Sequence, residues 1–452
     1  MNISASRATI ASPLLVALLA CAPAEQATLP LSDVQRLRQS LPVAPGVNVI
    51  VVSFDALRPD VLGLYGSERG TSPALDEFAE RSIVFERAYT VAPVTPTSFA
   101  GVFTGLLPVR VFHDWHLVYE DTLAARFAAG GYRTAAFLNN AQLTPERNFH
   151  VGFDTYKYFR SIDDGEVLDQ ALSWLKQHEE ESVFAWIHFL TPHAPYDRME
   201  IAQHFYDPEY EGQFEETSGS RFTTEDPAEI ARLWQLYEGE VFYGDTLFAR
   251  FLEALETSGL LQRSVVVVTS DHGEEFFEHG DFQHGRLTEE HVRIPLLIYH
   301  PEVQSELRTQ LPVTNMDLYP TLLSVAGQAD SGLRDGRDLT RLNAEPPYTV
   351  GVSLTGARAR WLSLRKGRYK LIETCMLERQ RRLFDLEADP GEQHDIHLEN
   401  REVASRLYQD LGQIMGGDPC EVMQAAANGQ GPTVGMSQEN IDALKALGYL
   451  SD

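Results

Sequence analysis

A chain of 452 residues with 43% hydrophobic and 23% charged residues has the make-up of a globular protein large enough for a substantial core, which excludes wholesale disorder. Its formal net charge of −28 excludes a nucleic-acid backbone as partner, since that ligand needs a basic surface. Acidity of this size otherwise reports on solubility.

Arg7 is the only charge in the first 21 residues, and Ile10 to Ala20 is an apolar run of signal-peptide length, interrupted by Pro13. It ends in Leu18-Leu19-Ala20-Cys21, which resembles the signal of bacterial lipoproteins, in which the cysteine becomes the lipidated first residue. The expectation is an exported protein of the periplasm or outer membrane, held to the membrane by a lipid on Cys21. Residues 22–45, with Pro and Gln and weak periodicity, read as a tether. Cys375 and Cys420 then remain, as a disulfide in an oxidising compartment or as two buried thiols.

From Val47 the run VNVIVVSF reads as a buried strand ending on Asp55. Ser72-Pro73 opens a helix, with serine as cap and proline at the first position. In Tyr89 to Pro108, prolines alternate with hydroxyl residues before the helical run SFAGVFTG, so Thr95 or Thr97 falls at a helix N-terminus that favours an anion. Further on, Asp121 to Ala129 reads as a helix, Arg133 to Leu138 as a strand presenting Asn139 and Asn140, Gly165 to His178 as a helix, and Val183 to Phe189 as a strand leading to His193. Tyr196 to Asp226 is loop-like and acidic, suited to a lid or a loosely packed insertion. Ala228 to Leu255 reads as a long helix with a break near Gly239.

The stretch that organises the chain is Ser264 to Gly285, SVVVVTSDHGEEFFEHGDFQHG. Four valines form a strand buried on both faces, and Asp271 and His272 follow at its carboxyl end, where open α/β sheets bind ligands. A carboxylate beside an imidazole, with His279 and His284 further along and glycines bending the loop, suits a divalent metal. Beyond about Ala344 the alternation of strand and helix fades. Arg358 to Leu364 and Arg368 to Thr374 read as antiparallel strands, Glu402 to Met415 as a helix, and Gly416 to Met436 as a flexible connector to a last short helix.

Seven segments in this order, DALRPDVLGLYG, VTPTSFAGVFTG, HFLTPHAPY, TSDHGEEFFEHG, HGRLTEEHVRIPLLI, MDLYPTLLSVAG and LFDLEADPGEQHDI, resemble the sulfatase family of the alkaline phosphatase superfamily across nearly the whole mature chain. The closing ALKALGYL is similar to the tail of a bacterial branch of that family. The resemblance implies an α/β/α sandwich with a largely parallel sheet over residues 46–345 and a small antiparallel subdomain with a helix over 346–452. It also implies one divalent metal, with Mn²⁺ or Zn²⁺ favoured over Mg²⁺ or Ca²⁺, held by Asp55, Thr95, Asp271 and His272. His193 and His284 would face the substrate oxygens and leaving group, and Asn140 a non-bridging oxygen. Arg58 is offered as a substrate clamp or as the partner of a core carboxylate.

The family's Cys-x-Pro-Ser-Arg segment, whose cysteine becomes formylglycine, has Thr95 and Phe99 at its first and last positions here, and its Gly-Lys-Trp-His motif is replaced by FLNNAQL. Threonine cannot become formylglycine. The expectation is therefore hydrolysis of a phosphate, phosphonate or sulfate ester through a covalent Thr95 ester. The alternatives are a sulfatase proper, transfer of a phospho group to an envelope glycan or lipid, and an inactive anion-binding lipoprotein. The oligomeric state is open.

Overall fold

The computed structural model describes residues 32–160, 163–196, 205, 224, 226–303, 306–328, 330, 332–344, 348–355, 358–376 and 378–428. The signal segment, nearly all of the acidic loop and the last short helix lie outside them.

The main sheet has eight strands: β1 (Asn48–Phe54), β2 (Ile83–Phe85), β3 (Arg133–Leu138), β4 (Thr155–Tyr158), β5 (Val183–Phe189), β6 (Ser264–Ser270), β7 (Leu296–Tyr299) and β8 (Leu307–Thr309). Their spatial order is β8-β2-β7-β6-β1-β5-β3-β4, and only β7 runs antiparallel to its neighbours. The central strands are buried along their whole length, as their continuous apolar runs require when both faces are covered. Side-chain alternation along β1 sends Ile50, Val52 and Phe54 into one core and Val49 and Val51 into the other.

The first core is closed by α2 (Pro73–Ala79), α5 (Asp164–Gln177) and α6 (Pro227–Thr257). The second is closed by α3 (Thr95–Thr104), α4 (Leu123–Ala129) and α7 (Leu318–Val325). The helix α6 is continuous for 31 residues, so the break expected at Gly239 is absent. The part of the tether from Asp33 onward is also different from its sequence reading. It forms α1 (Asp33–Gln39), capped by Ser32 and Gln35, and buries Leu37 and Leu41 in the second core.

The C-terminal unit is a four-stranded antiparallel meander, β9 (Thr349–Thr355), β10 (Arg358–Lys366), β11 (Tyr369–Thr374) and β12 (Gln380–Asp385), under α8 (Arg401–Met415). The glycine-bearing connector contains a further helix, α9 (Pro419–Ala427), with Cys420 and Met423 buried. Cys375 and Cys420 are joined as a disulfide across 45 residues. Closing a loop of that length is worth about 4 kcal/mol in the chain-entropy account. The meander is pinned to the main sheet's carboxyl edge by Val352 N donating to Val91 O at 2.7 Å and Ser353 Oγ donating to Gly285 O at 2.7 Å.

Candidate active site

Three adjacent strands end level with one another. Phe54 of β1 pairs with Phe189 of β5 and with Ser270 of β6, so the next residues, Asp55 and Asp271, emerge side by side. Asp271 N donates to Phe54 O, and Asp55 N to Phe189 O. On the second-core face, α3 begins at Thr95 after Val94, which offers no side-chain cap. Ser98 Oγ donates to Asp271 O at 2.8 Å and ties that helix start to the end of β6.

The four residues expected to converge do so. Thr95 Oγ1 lies 3.3 Å from His272 Nε2, which is 3.5 Å from Asp271 Oδ2 and 3.7 Å from Asp55 Oδ1. All are buried. Thr97 is not part of the cluster, since its hydroxyl donates to Val94 O.

Each member of the cluster has one atom anchored and one left over. Asp271 Oδ1 accepts from Ala56 N at 3.0 Å and His272 N at 2.8 Å, while Oδ2 has no hydrogen-bond partner. Asp55 Oδ2 accepts from the Asn140 amide, while Oδ1 has none. His272 Nδ1 is 3.0 Å from Gly273 O, a contact that only an N–H can satisfy, so Nε2 carries the lone pair and faces the carboxylates. Buried oxygens without partners are costly, and two of them beside an imidazole lone pair fit a divalent cation.

The electrostatics agree. Burial and the nearby charge of Asp271 push the Asp55 carboxyl well up, despite His193 and the Asn140 amide. Burial also works against an ionised Asp271, but His272, His188 and the Ala56 N–H outweigh it and hold that carboxyl below its usual range. Two buried carboxylates cannot both ionise cheaply without a cation between them. Burial brings His272 and His284 down to about 4, so both are neutral imidazoles near pH 7.

The histidines expected to face substrate stand beside His272. The His284 ring lies 4.1 Å from the His272 ring and 5.2 Å from that of His193. His284 Nδ1 is 3.0 Å from Glu274 Oε1, and Tyr196 OH donates to Glu274 Oε2 at 3.3 Å. A buried carboxylate on Nδ1 fixes the proton there and turns the other ring nitrogen toward the site.

Asn140, expected to face a non-bridging oxygen, stands against Asp55. Its Nδ2 donates to Asp55 and its Oδ1 accepts from Gln142 N at 2.7 Å, so it holds a carboxylate of the cluster. Arg58 is the partner of carboxylates and not a clamp: it grips Asp60 through two nitrogens and Glu278 through a third. Phe99 packs on Trp186, with ring centroids 4.6 Å apart. Sequence reading passed over Glu274, Ser98 and His188, which stand inside the quoted motifs but carry no spacing signal of their own.

A mostly parallel sheet sandwiched by helices, with an antiparallel C-terminal sheet beside it, is an alkaline-phosphatase-like fold, and carboxylates and an imidazole meet at its carboxyl edge. The sulfatase family model matches residues 47–328, and the chain belongs to that family. Arylsulfatase K of Rattus norvegicus is 23% identical over 458 aligned positions, covering 83% of this chain and 79% of the relative. A protein solved in complex with its substrate D-glucosamine-2-N,6-O-disulfate superposes with a TM-score of 0.69 at 19% identity, covering 83% of this chain and 99% of that one. The phosphonate monoester hydrolase of Agrobacterium radiobacter superposes at 0.67 with 18% identity, over 82% and 95% of the two chains. The sulfatase family uses a divalent metal, and Asp55, Asp271 and His272 are a possible site for it in this chain.

Proposed function

We propose that the protein hydrolyses phosphate, phosphonate or sulfate esters with Thr95 as nucleophile. The observation that carries this reading is the Thr95 hydroxyl, 3.3 Å from His272 Nε2, the nitrogen that also lies 3.5 Å from Asp271 and 3.7 Å from Asp55. A divalent cation held by Asp55, Asp271 and His272 would lower the cost of forming the alkoxide and screen charge on the ester. Thr95 Oγ1 attacks phosphorus or sulfur. The proton that Thr95 gives up passes to the neutral imidazoles of the His193 and His284 pair, where Glu274 orients His284, and from there to the departing alcoholate. Acid assistance of this kind contributes on the order of 10²- to 10⁴-fold. Water then cleaves the Thr95 ester and restores the hydroxyl.

The family and the curated relatives favour a second reading within the same chemistry, sulfate monoesters as the natural substrates. Transfer to an envelope alcohol needs only that an acceptor replace water. Export as a lipoprotein through Cys21 is part of the proposal, and the Cys375–Cys420 disulfide suits an oxidising compartment.

The test is turnover of matched 4-nitrophenyl phosphate, phenylphosphonate and sulfate esters by metal-loaded protein, with acid-quench mass spectrometry of the Thr95 peptide. Thr95→Ala is expected to lose at least 10³-fold in kcat/KM and the covalent adduct with it. A Thr95→Ala enzyme as fast as the unmodified one would refute the nucleophile.

A further inference from the structure

His188 is fully buried on β5 and paired with Ser53 on β1, two residues short of the level where the active-site carboxylates emerge. Alternation puts Ser53 and Asp55 on the same face of β1, so the His188 imidazole lies beneath Asp55. Its Nε2 is 3.6 Å from Asp55 Oδ2 and has no hydrogen-bond partner.

The proton on this ring can be placed from its neighbours. Trp186 Nε1 is 2.9 Å from Ser53 Oγ, and an indole N–H only donates, so the hydroxyl oxygen accepts. The hydroxyl hydrogen then has two acceptors in reach, His188 Nδ1 at 3.0 Å and Ile187 O at 3.5 Å. Distance favours the nearer one. With the hydroxyl donating to Nδ1, the ring's own hydrogen is on Nε2, on the side of Asp55. Phe99, edge-on at 4.9 Å, and Trp186, stacked at 5.7 Å, fix the plane of the ring.

We propose that His188 is a positioning residue for the cation site, donating from Nε2 to Asp55 Oδ2 so that Oδ1 is presented to the ion, with Ser53 and Trp186 setting the tautomer that makes this donation possible. The proposal rests on the cation-site reading above. The 3.6 Å separation is just beyond hydrogen-bond range, and a carboxylate shift of about half an ångström closes it. With the Asn140 amide already on Oδ2, both donors fall on the same oxygen, and Asp55 cannot rotate without breaking both. Outer partners of this kind typically change metal affinity by roughly 10- to 100-fold.

The experiment is competition between the full chain and a chelating indicator for Zn²⁺ and Mn²⁺, with circular dichroism to verify folding. His188→Leu is expected to weaken the dissociation constant by roughly 10- to 100-fold. His188→Gln, whose amide N–H can reach where Nε2–H stood, is expected to recover most of that loss. Ser53→Ala, which leaves the ring in place but frees its tautomer, is expected to show a smaller loss. A folded His188→Leu protein that binds as tightly as the unmodified one overturns the proposal. If that variant does not fold, unchanged affinity in Ser53→Ala overturns it instead. Failure of the unmodified protein to bind either cation removes the cation-site reading itself, and the role of His188 with it.

Discussion

At the scale of single residues, the charge of the site bears on what it can accept. Asp55, Asp271 and Glu274 are buried carboxylates, the imidazoles of His272 and His284 are neutral near pH 7, and Arg58 is spent on Asp60 and Glu278. A divalent cation offsets two of those negative charges. A dianionic phosphate monoester then adds two more to this buried cluster, whereas a sulfate monoester, phosphonate monoester or phosphodiester adds one. Each unit of like charge at about 4 Å costs on the order of 4 kcal/mol even at an effective dielectric constant near 20. At pH 8 the monoanionic 4-nitrophenyl esters are therefore expected to show higher kcat/KM than 4-nitrophenyl phosphate. A faster dianion would show that positive charge reaches the site from elsewhere.

At the scale of elements, the loop after β6 must bring His272 back against the carboxylates, and one glycine makes that turn possible. Gly273 N donates to His291 O, and a Cβ on residue 273 would meet Glu290 O at 2.0 Å, a backbone atom that cannot step aside. Gly273→Ala is expected to lower Tm by a few degrees and kcat/KM by at least 100-fold, through displacement of His272, as circular dichroism melts and steady-state assays would measure. Unchanged values for both would show that the 290 segment yields. The valine run of β6, with Asp and His immediately beyond it, made this part of the site readable from sequence, because a buried parallel strand is an uninterrupted apolar run and ligands gather at its end. His188 was not readable in that way. It sits inside the strand VFAWIHF, where only its pairing with Ser53 gives it meaning, and pairing is a property of three-dimensional register. The departures around the tether and the connector share one cause: helix α1 and helix α9 are short and gain most of their stability from buried contacts, by Leu37 and Leu41 in one case and by Cys420 in the other.

At the scale of the whole molecule, the C-terminal meander is bolted to the active-site edge by ion pairs. Lys370 Nζ is 2.9 Å from both Glu289 and Glu392, Arg365 is 2.8 Å from Glu289, and Glu289 N donates to Glu392 at 2.7 Å. Within the active-site edge itself, His279 beside Glu290 at 3.2 Å makes a contact whose strength depends on pH. The hydrogen bond to Glu290 raises the His279 imidazole above its ordinary value. Burial opposes ionisation of Glu290, yet His279 and its neighbours bring that carboxyl down to about 2. The histidine's contribution is fully present below about pH 6.5 and fades as pH rises through its folded-state value; the glutamate's is present above about pH 4.3 and fades toward pH 2. The Tm difference between the unmodified protein and His279→Asn is thus expected to peak near about pH 5 to 6 and shrink by pH 9. A difference independent of pH would leave the pair no electrostatic role. The level ends of β5, β1 and β6 carry a last implication. Since a strand displaced by one residue turns every side chain to its opposite face, the pocket has no half-built version. A chain whose three middle strands have found their partners has both carboxylates at the level that Thr95 and the histidines require, and one that has mispaired them does not, so turnover during refolding cannot return before the strands are correctly aligned.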